Sequence, residues 1–197
     1  MVVRAVITLV SCAAMSSAAG CSSDDPPSGG RDEPITARAL AVVMDDHTGT
    51  PSEAGEETDM EETGPHLVAA ARMSHRGDGP GSLSMGVGRD LDLPADCADV
   101  LEMFGLATCA AVDSGLLYWE VESPGEDPGV VYLQVAKGRT DVLFFYSGPS
   151  ITGDPRDVDM PVSVTDMQSI AADPRVDVTT SEETVEAGEA IDYWVDP

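Results

Sequence analysis

Three apolar runs separated by short polar connections occupy residues 116–147, and they constrain the fold more than any other feature. The runs LLYWEVE, VVYLQVA and DVLFFYS have the length and the β-branched and aromatic content of strands. The loop SPGEDPG joins the first two, and a tight turn around Lys137, Gly138 and Arg139 joins the last two. Residues 142–146 are apolar on both faces, which predicts the central strand. We therefore expect an antiparallel meander at 116–147.

Two further segments have the patterns of helices. Residues 92–105 begin with Asp92 near the N-cap and end at Gly105. One apolar face of this helix has the spacing i, i+3, i+4, i+7 and consists of Cys97, Val100, Leu101 and Phe104. A second helix is predicted at 165–172, because Ser163 and Asp166 have the spacing of a capping box.

The remaining patterns are weaker, but together with the elements above they predict a fold class. Residues 37–46 alternate like a strand, 66–74 fit a strand or a short helix, and 82–91 alternate again. A short edge strand is predicted at 176–178, followed by a helix that starts at a Thr180-x-x-Glu183 box and ends at Gly188. The order predicts an α+β fold, an antiparallel sheet with two or three helices packed on one face. Two similar halves, each of three strands and a helix, are a further hypothesis.

The domain organisation follows from where apolar content is found. Residues 37–197 are enough for a single globular domain, and 42% hydrophobic residues argue against global disorder. Residues 47–65 are acidic, rich in turn formers and nearly free of apolar side chains, so we expect an exposed loop there.

The net charge of −26 restricts the partners of the chain. Such a surface repels phosphate backbones, so nucleic acid is not an expected partner. Cations and basic protein or cell-envelope surfaces are the natural attractants. Solubility is the simpler reason for the same charge.

The N-terminus has the layout of an export signal. In residues 1–20, Arg4 supplies a positive start, 5–15 form a short apolar core, and 16–20 are small. The segment that follows, residues 21–36, is polar and rich in Pro and Gly, so we expect a disordered tether.

The junction Ala18-Ala19-Gly20-Cys21 resembles the lipobox of bacterial lipoproteins of the actinobacterial type. In that family the cysteine thiol receives diacylglycerol and becomes the first residue of the mature protein. The resemblance implies removal of residues 1–20 and a lipid-anchored location on the extracytoplasmic face of the cell membrane. The alternative is an ordinary signal peptide with Cys21 left as a free thiol.

Two of the four cysteines remain after the leader and Cys21 are set aside. Cys97 and Cys109 form an even pair in an exported chain, so a disulfide is expected. Two cysteines with no nearby histidine make only half a zinc site.

No catalytic motif stands out, and this leaves three functional hypotheses. The three histidines have no informative neighbours, and carboxylates are too numerous to indicate a pair. Asp154, Asp157 and Asp159 form the best candidate Ca²⁺ site, because carboxylate oxygens suit that ion. A non-catalytic binding or interaction module is the favoured function. The alternatives are a cell-envelope hydrolase that uses carboxylates or a bound cation, and a lipoprotein that binds Ca²⁺ or a small ligand.

Overall fold

The computed structural model of the chain describes residues 32–49, 51–60, 65–75, 81–106, 108–123, 125, 128–148 and 151–196. Residues 1–31, and with them Cys21 and most of the expected tether, lie outside the described residues. The four helices of the described residues are α1 (Ala37–Thr48), α2 (Cys97–Phe104), α3 (Val164–Ala172) and α4 (Glu182–Glu189). The strands are β1 (Asp32–Pro34), β2 (Glu53–Glu56), β3 (Leu67–His75), β4 (Gly81–Gly88), β5 (Thr108–Val112), β6 (Gly115–Glu120), β7 (Val130–Lys137), β8 (Thr140–Ser147), β9 (Thr179–Ser181) and β10 (Trp194–Val195).

One sheet of eight strands forms the centre of the fold, in the order β10-β2-β3-β4-β8-β7-β6-β5. All neighbours are antiparallel except β10 and β2. The predicted meander is confirmed as β6, β7 and β8, and β8 lies between β4 and β7 as its apolar sequence predicted. Gly138 has a φ of 67° in the tight turn between β7 and β8, a conformation that favours glycine. The α+β class is thus confirmed.

The main core lies on the first face of the sheet. Alternate side chains of the central strands, among them Met85, Leu133 and Phe144, are fully buried there. Helices α1 and α3 pack against β3 and β7 respectively and contact each other, and α4 packs on α1. Helix α2 contacts β5 and β6 instead, and its Val100 joins a cluster with Leu116 and Tyr118 on the second face. The helices are therefore divided between the two faces of the sheet.

Residues 37–46, predicted as a strand, belong to helix α1. Thr36 caps the helix by accepting a hydrogen bond from the backbone N–H of Ala39. The buried residues Leu40, Val43 and Met44 follow a helical period, and the alternation of apolar residues that suggested a strand is a coincidence of an apolar helix. Because 37–46 is a helix, the strands of the main sheet that precede α2 are β2, β3 and β4. In the sheet β4 is adjacent to β8, and β7 and β6 follow β8.

The acidic segment 47–65 is also corrected. It contains β2, which pairs with β3, and its Glu57 and Met60 are buried. The strand contributes only one small residue, Ala54, to the core and is otherwise aligned by backbone pairing with β3, so its composition resembles that of a loop.

The C-terminal elements differ from their predicted limits. Strand β9 begins at Thr179 rather than 176 and pairs with β1 outside the main sheet. Ser181 rather than Thr180 caps α4, and Gly188 lies within that helix rather than after it. Helix α3 begins as predicted, since Ser163 and Asp166 form a capping box.

Candidate ligand-binding cleft

A row of side chains crosses the second face of the sheet and forms the floor of a cleft. Strand register places Ser84 opposite Phe145, Phe145 opposite Tyr132, and Tyr132 opposite Tyr118. Within the cleft the row runs from the Ser84 hydroxyl on β4 to the Tyr118 ring on β6. Beyond it on β3, the exposed Arg72 lies opposite Ser84 and outside the cleft lining. Neighbouring strands lie about 4.8 Å apart, so Ser84 and Tyr118 are separated by about 14 Å.

Aromatic rings stack at one end of this row. The ring centroids of Tyr118 and Tyr132 are 5.0 Å apart with an interplanar angle of 12°. Phe104 from α2 lies over both, at 5.6 Å from Tyr118 and 5.8 Å from Tyr132. Phe145 contacts Tyr132 at 5.0 Å in a tilted arrangement. Such offset pairs are favourable beyond the area that they bury.

The predicted disulfide is confirmed and attaches the helix that bears Phe104. Cys97 in α2 and Cys109 in β5 are bonded, with their Cα atoms 5.6 Å apart. Asp96 caps the helix by accepting from two backbone N–H groups, and Gly105 ends it with a left-handed φ of 69°. The N-cap is thus Asp96, four residues after the position expected from the sequence. Phe104 and Leu101, expected to face the core, are 45% and 54% exposed. Phe104 is exposed because it lines the wall of the open cleft.

The opposite wall follows β2 and carries a buried acid. Glu57 is 8% exposed, and its Oε2 accepts a hydrogen bond from the Ser84 hydroxyl while Oε1 accepts from the backbone N–H of Asp59. Both side-chain oxygens of Glu57 therefore have a polar partner inside the fold. Gly86 lies beneath this wall, where an added Cβ would be 3.0 Å from both Leu67 Cδ1 and Met60 Sδ. The absent side chain lets the wall approach the sheet.

The cleft between these walls has a volume of about 470 Å³. It is larger than the clefts of about 170, 300 and 390 Å³ found beside β10, at β3 and near Gly115. Its apolar lining comes from both walls and the floor, and its charged groups are the carboxylates of Glu57, Asp59 and Asp92. None of the described residues that line it is basic. Its volume falls within the range of about 300–1,000 Å³ that is typical of ligand pockets in proteins.

Burial governs the ionisation of the two tyrosines in the floor. It raises the pKa of Tyr118 far above the usual range for a phenol, with a smaller contribution from Tyr132. Burial likewise raises the pKa of Tyr132, and the charge of Glu120 adds to the effect. Both rings are therefore neutral at physiological pH. The Tyr118 hydroxyl is buried and has no hydrogen-bond partner among the described residues.

The predicted Ca²⁺ ligands lie elsewhere. Asp154 forms an ion pair with Arg156 and also accepts the Arg156 backbone N–H, and these hydrogen bonds lower the pKa of Asp154. The described part of the chain contains no group of three or more His, Cys, Asp or Glu side chains that could hold a metal ion. The structure therefore gives no support to a Ca²⁺ site formed by Asp154, Asp157 and Asp159.

The histidines do not line the cleft. His66 is exposed, as expected for a surface residue. His47 bonds to Asp173 at 3.0 Å, and Arg175 pairs with the same carboxylate, so His47 belongs to a structural network at the end of α1. His75 Nε2 lies 3.1 Å from the Thr48 hydroxyl oxygen.

Sequence reasoning missed most residues of the cleft. Tyr132 and Phe145 occupy the positions of β7 and β8 that alternate with the main core, and the second apolar face of these strands was the available signal. Glu57 had no signal, because one acid among 36 acidic residues is not distinctive.

We find no family model, no curated protein and no solved structure that matches this chain. In the residues that the structure describes, no helix has the length and apolar content needed to cross a membrane.

Proposed function

We propose that this chain is a lipid-anchored, extracytoplasmic binding protein, non-catalytic, whose cleft between α2 and β2 takes a small apolar ligand. The observation that carries the proposal is the cleft itself, about 470 Å³ of space over a stacked aromatic floor. Contiguous apolar surface left open to water often marks a binding groove.

The walls of the cleft support this proposal because they are built from different kinds of structure. The sheet supplies a rigid floor, whereas α2 is a helix of eight residues attached by one disulfide. Met103 and Phe104, 47% and 45% exposed, project from α2 beside the cleft. A bound ligand would cover apolar surface that is now in contact with water, which is a favourable change.

The anchor is supported by the sequence around Cys21. Two or three acyl chains on one residue hold a protein stably at a membrane, since each buried CH₂ contributes about 0.8 kcal/mol. The high negative charge of the domain opposes flat adsorption to anionic lipids. The domain, and the cleft with it, would then lie in the space beyond the membrane.

Titration with the neutral fluorophore N-phenyl-1-naphthylamine tests the cleft. The exported chain is used with Cys21→Ser, so that acyl chains cannot bind the probe. We expect saturable binding at one site, and about tenfold weaker binding in Phe104→Ala, from the loss of stacking and buried area worth about 1.4 kcal/mol.

Leu101→Ala is the matched control for that titration, because Leu101 is similarly exposed on the same helix but does not line the cleft. Its affinity should equal that of the parent chain. Binding that is not saturable, or that weakens equally in both variants, would overturn the cleft as the binding site.

The anchor has a separate test that does not depend on the cleft. The mature wild-type protein should have the intact mass of a chain starting at Cys21 with glyceride attached, and it should partition into detergent. Cys21→Ser should remain in the aqueous phase. An unmodified wild-type thiol would disprove lipid anchoring and leave the binding proposal standing.

A further inference from the structure

The charge of the cleft indicates what kind of ligand it would take. We propose that the ligand is an elongated organic cation, an apolar or aromatic body that carries one ammonium group. This inference rests on the proposed binding function and adds the chemical class of the ligand.

The first argument is charge complementarity. Three carboxylates, those of Glu57, Asp59 and Asp92, line the cleft without a compensating Lys, Arg or His among its described lining residues. The whole chain has the same sign, with a net charge of −26. A carboxylate or phosphate ligand would be repelled on entry, whereas a cation would be attracted over a long range.

The second argument is the chemistry of the aromatic rings. Tyr132, Phe145 and Phe104 contribute to the lining. The faces of such rings carry partial negative charge and attract alkylammonium groups as well as apolar carbons. Rings and carboxylates therefore favour the same class of ligand.

The third argument is the order of these groups along the floor. Glu57 bonds to Ser84 at the β4 end of the row, while Phe104 covers Tyr118 at the β6 end. The two ends are about 14 Å apart, three strand spacings. A ligand that lies along the row would place its ammonium group near Glu57 and its apolar end against the exposed side of Phe104.

Position and burial distinguish Glu57 from the other acids. It is 8% exposed, and its two oxygens are fixed by the Ser84 hydroxyl and the Asp59 backbone N–H. A carboxylate held in place at the side of an apolar cleft interacts more strongly with a nearby cation than an exposed one does, because less water screens the pair.

Isothermal titration calorimetry on the Cys21→Ser chain tests the proposal with three probes that share one body. These are (4-phenylbutyl)trimethylammonium, the neutral alcohol 4-phenylbutan-1-ol and the anion 4-phenylbutyrate. We expect the cation to bind at one site about tenfold more tightly than the alcohol, and the anion to show no measurable binding.

Glu57→Gln should weaken binding of the cation about tenfold and leave binding of the alcohol unchanged. Glu56→Gln is the matched control, because it removes the same charge from an exposed neighbour that does not line the cleft. Asp92→Asn, an exposed residue of the cleft, gives a second variant that tests the same attraction if Glu57→Gln fails to fold.

The outcomes separate the two proposals. Equal affinity for cation and alcohol, with Glu57→Gln and Glu56→Gln alike, would overturn the cationic class and leave the apolar cleft intact. Tighter binding of the anion would overturn it as well. If none of the probes binds and N-phenyl-1-naphthylamine also fails to bind, the proposed function itself is wrong.

Discussion

The Ser84 hydroxyl donates a hydrogen bond to Oε2 of Glu57, and the two side chains are only 1% and 8% exposed. The bond joins β4 to the segment after β2, across 27 residues of chain. It is the polar end of the cleft floor, and it holds the acid on which the proposed choice of ligand depends.

We predict that Ser84→Ala lowers the free energy of unfolding by about 2 kcal/mol, because it leaves a buried carboxylate with one fewer donor. Urea denaturation measures the change. Ser82→Ala is the control, a half-buried serine on the same strand and face, and it should cost about 0.5 kcal/mol or less. Equal losses would mean that the Ser84–Glu57 bond contributes nothing specific.

Loss of the disulfide should affect both stability and binding. The bond between Cys97 and Cys109 closes a loop with a sequence separation of 12, and the chain-entropy model gives about 3 kcal/mol for such a loop. Reductant should therefore lower the urea midpoint and weaken binding of N-phenyl-1-naphthylamine, because α2 carries Phe104.

The double variant Cys97→Ala/Cys109→Ala separates these effects from other actions of the reductant. Its urea midpoint and its affinity for N-phenyl-1-naphthylamine should match those of the reduced protein, and added reductant should change neither. Full retention of probe binding in this variant would show that the disulfide does not position the cleft wall.

Acid should destabilise the fold through His75. Burial lowers the pKa of His75 below its usual value of 6.5, and this effect outweighs the attraction of Asp45. Protons then bind the unfolded chain more tightly, so the contribution to stability is complete above pH 6.5 and is lost as the pH falls below that value. Urea denaturation at pH 7.5 and at lower pH values should show this slope.

His75→Gln should flatten that part of the stability profile, whereas His66→Gln should leave it unchanged, because His66 is exposed. An identical slope in the parent chain and in His75→Gln would assign the pH dependence to other groups.

A close approach of two helices should make Gly188 intolerant of a side chain. A Cβ at this position would lie 2.7 Å from the Ala39 backbone nitrogen and 2.8 Å from the Arg38 carbonyl carbon. We expect Gly188→Ala to push α4 away from α1 and lower the free energy of unfolding by about 1–3 kcal/mol.

Gly153→Ala is the control, since an added Cβ there meets no atom within 4 Å. It should change stability by about 0.5 kcal/mol or less. Thermal unfolding of both variants measures the difference, and an unaltered melting temperature in Gly188→Ala would contradict the packing of α4 on α1.

The parts of the fold that sequence reasoning predicted are those in which local signals agree. In β6, β7 and β8 the strand composition and the turn at Gly138 indicate the same structure. The helix α2 was found from its apolar face and Gly105.

The wrongly predicted elements are those whose local sequence pattern is compatible with two structures. The apolar run of α1 contains both an alternating and a helical pattern, and only burial against β3 decides between them. Strand β2 has little apolar signal, because Ala54 is its one core residue and backbone pairing with β3 aligns the strand. Gly188 was read as the end of a helix, but its function is to allow close contact with α1. The cleft combines segments that are distant in sequence, so its acid and its rings could not be associated before the fold was known.

The central claim is that ligand binds on the second face of the sheet, between α2 and β2. It is tested most directly by NMR of aromatic and methyl groups in the Cys21→Ser chain, with and without saturating (4-phenylbutyl)trimethylammonium. We predict the largest shift changes at Met103, Phe104, Tyr132 and Phe145, with Leu133 and Met73 of the first face unchanged. Changes confined to the first face, or spread evenly over the exposed acids, would contradict the account.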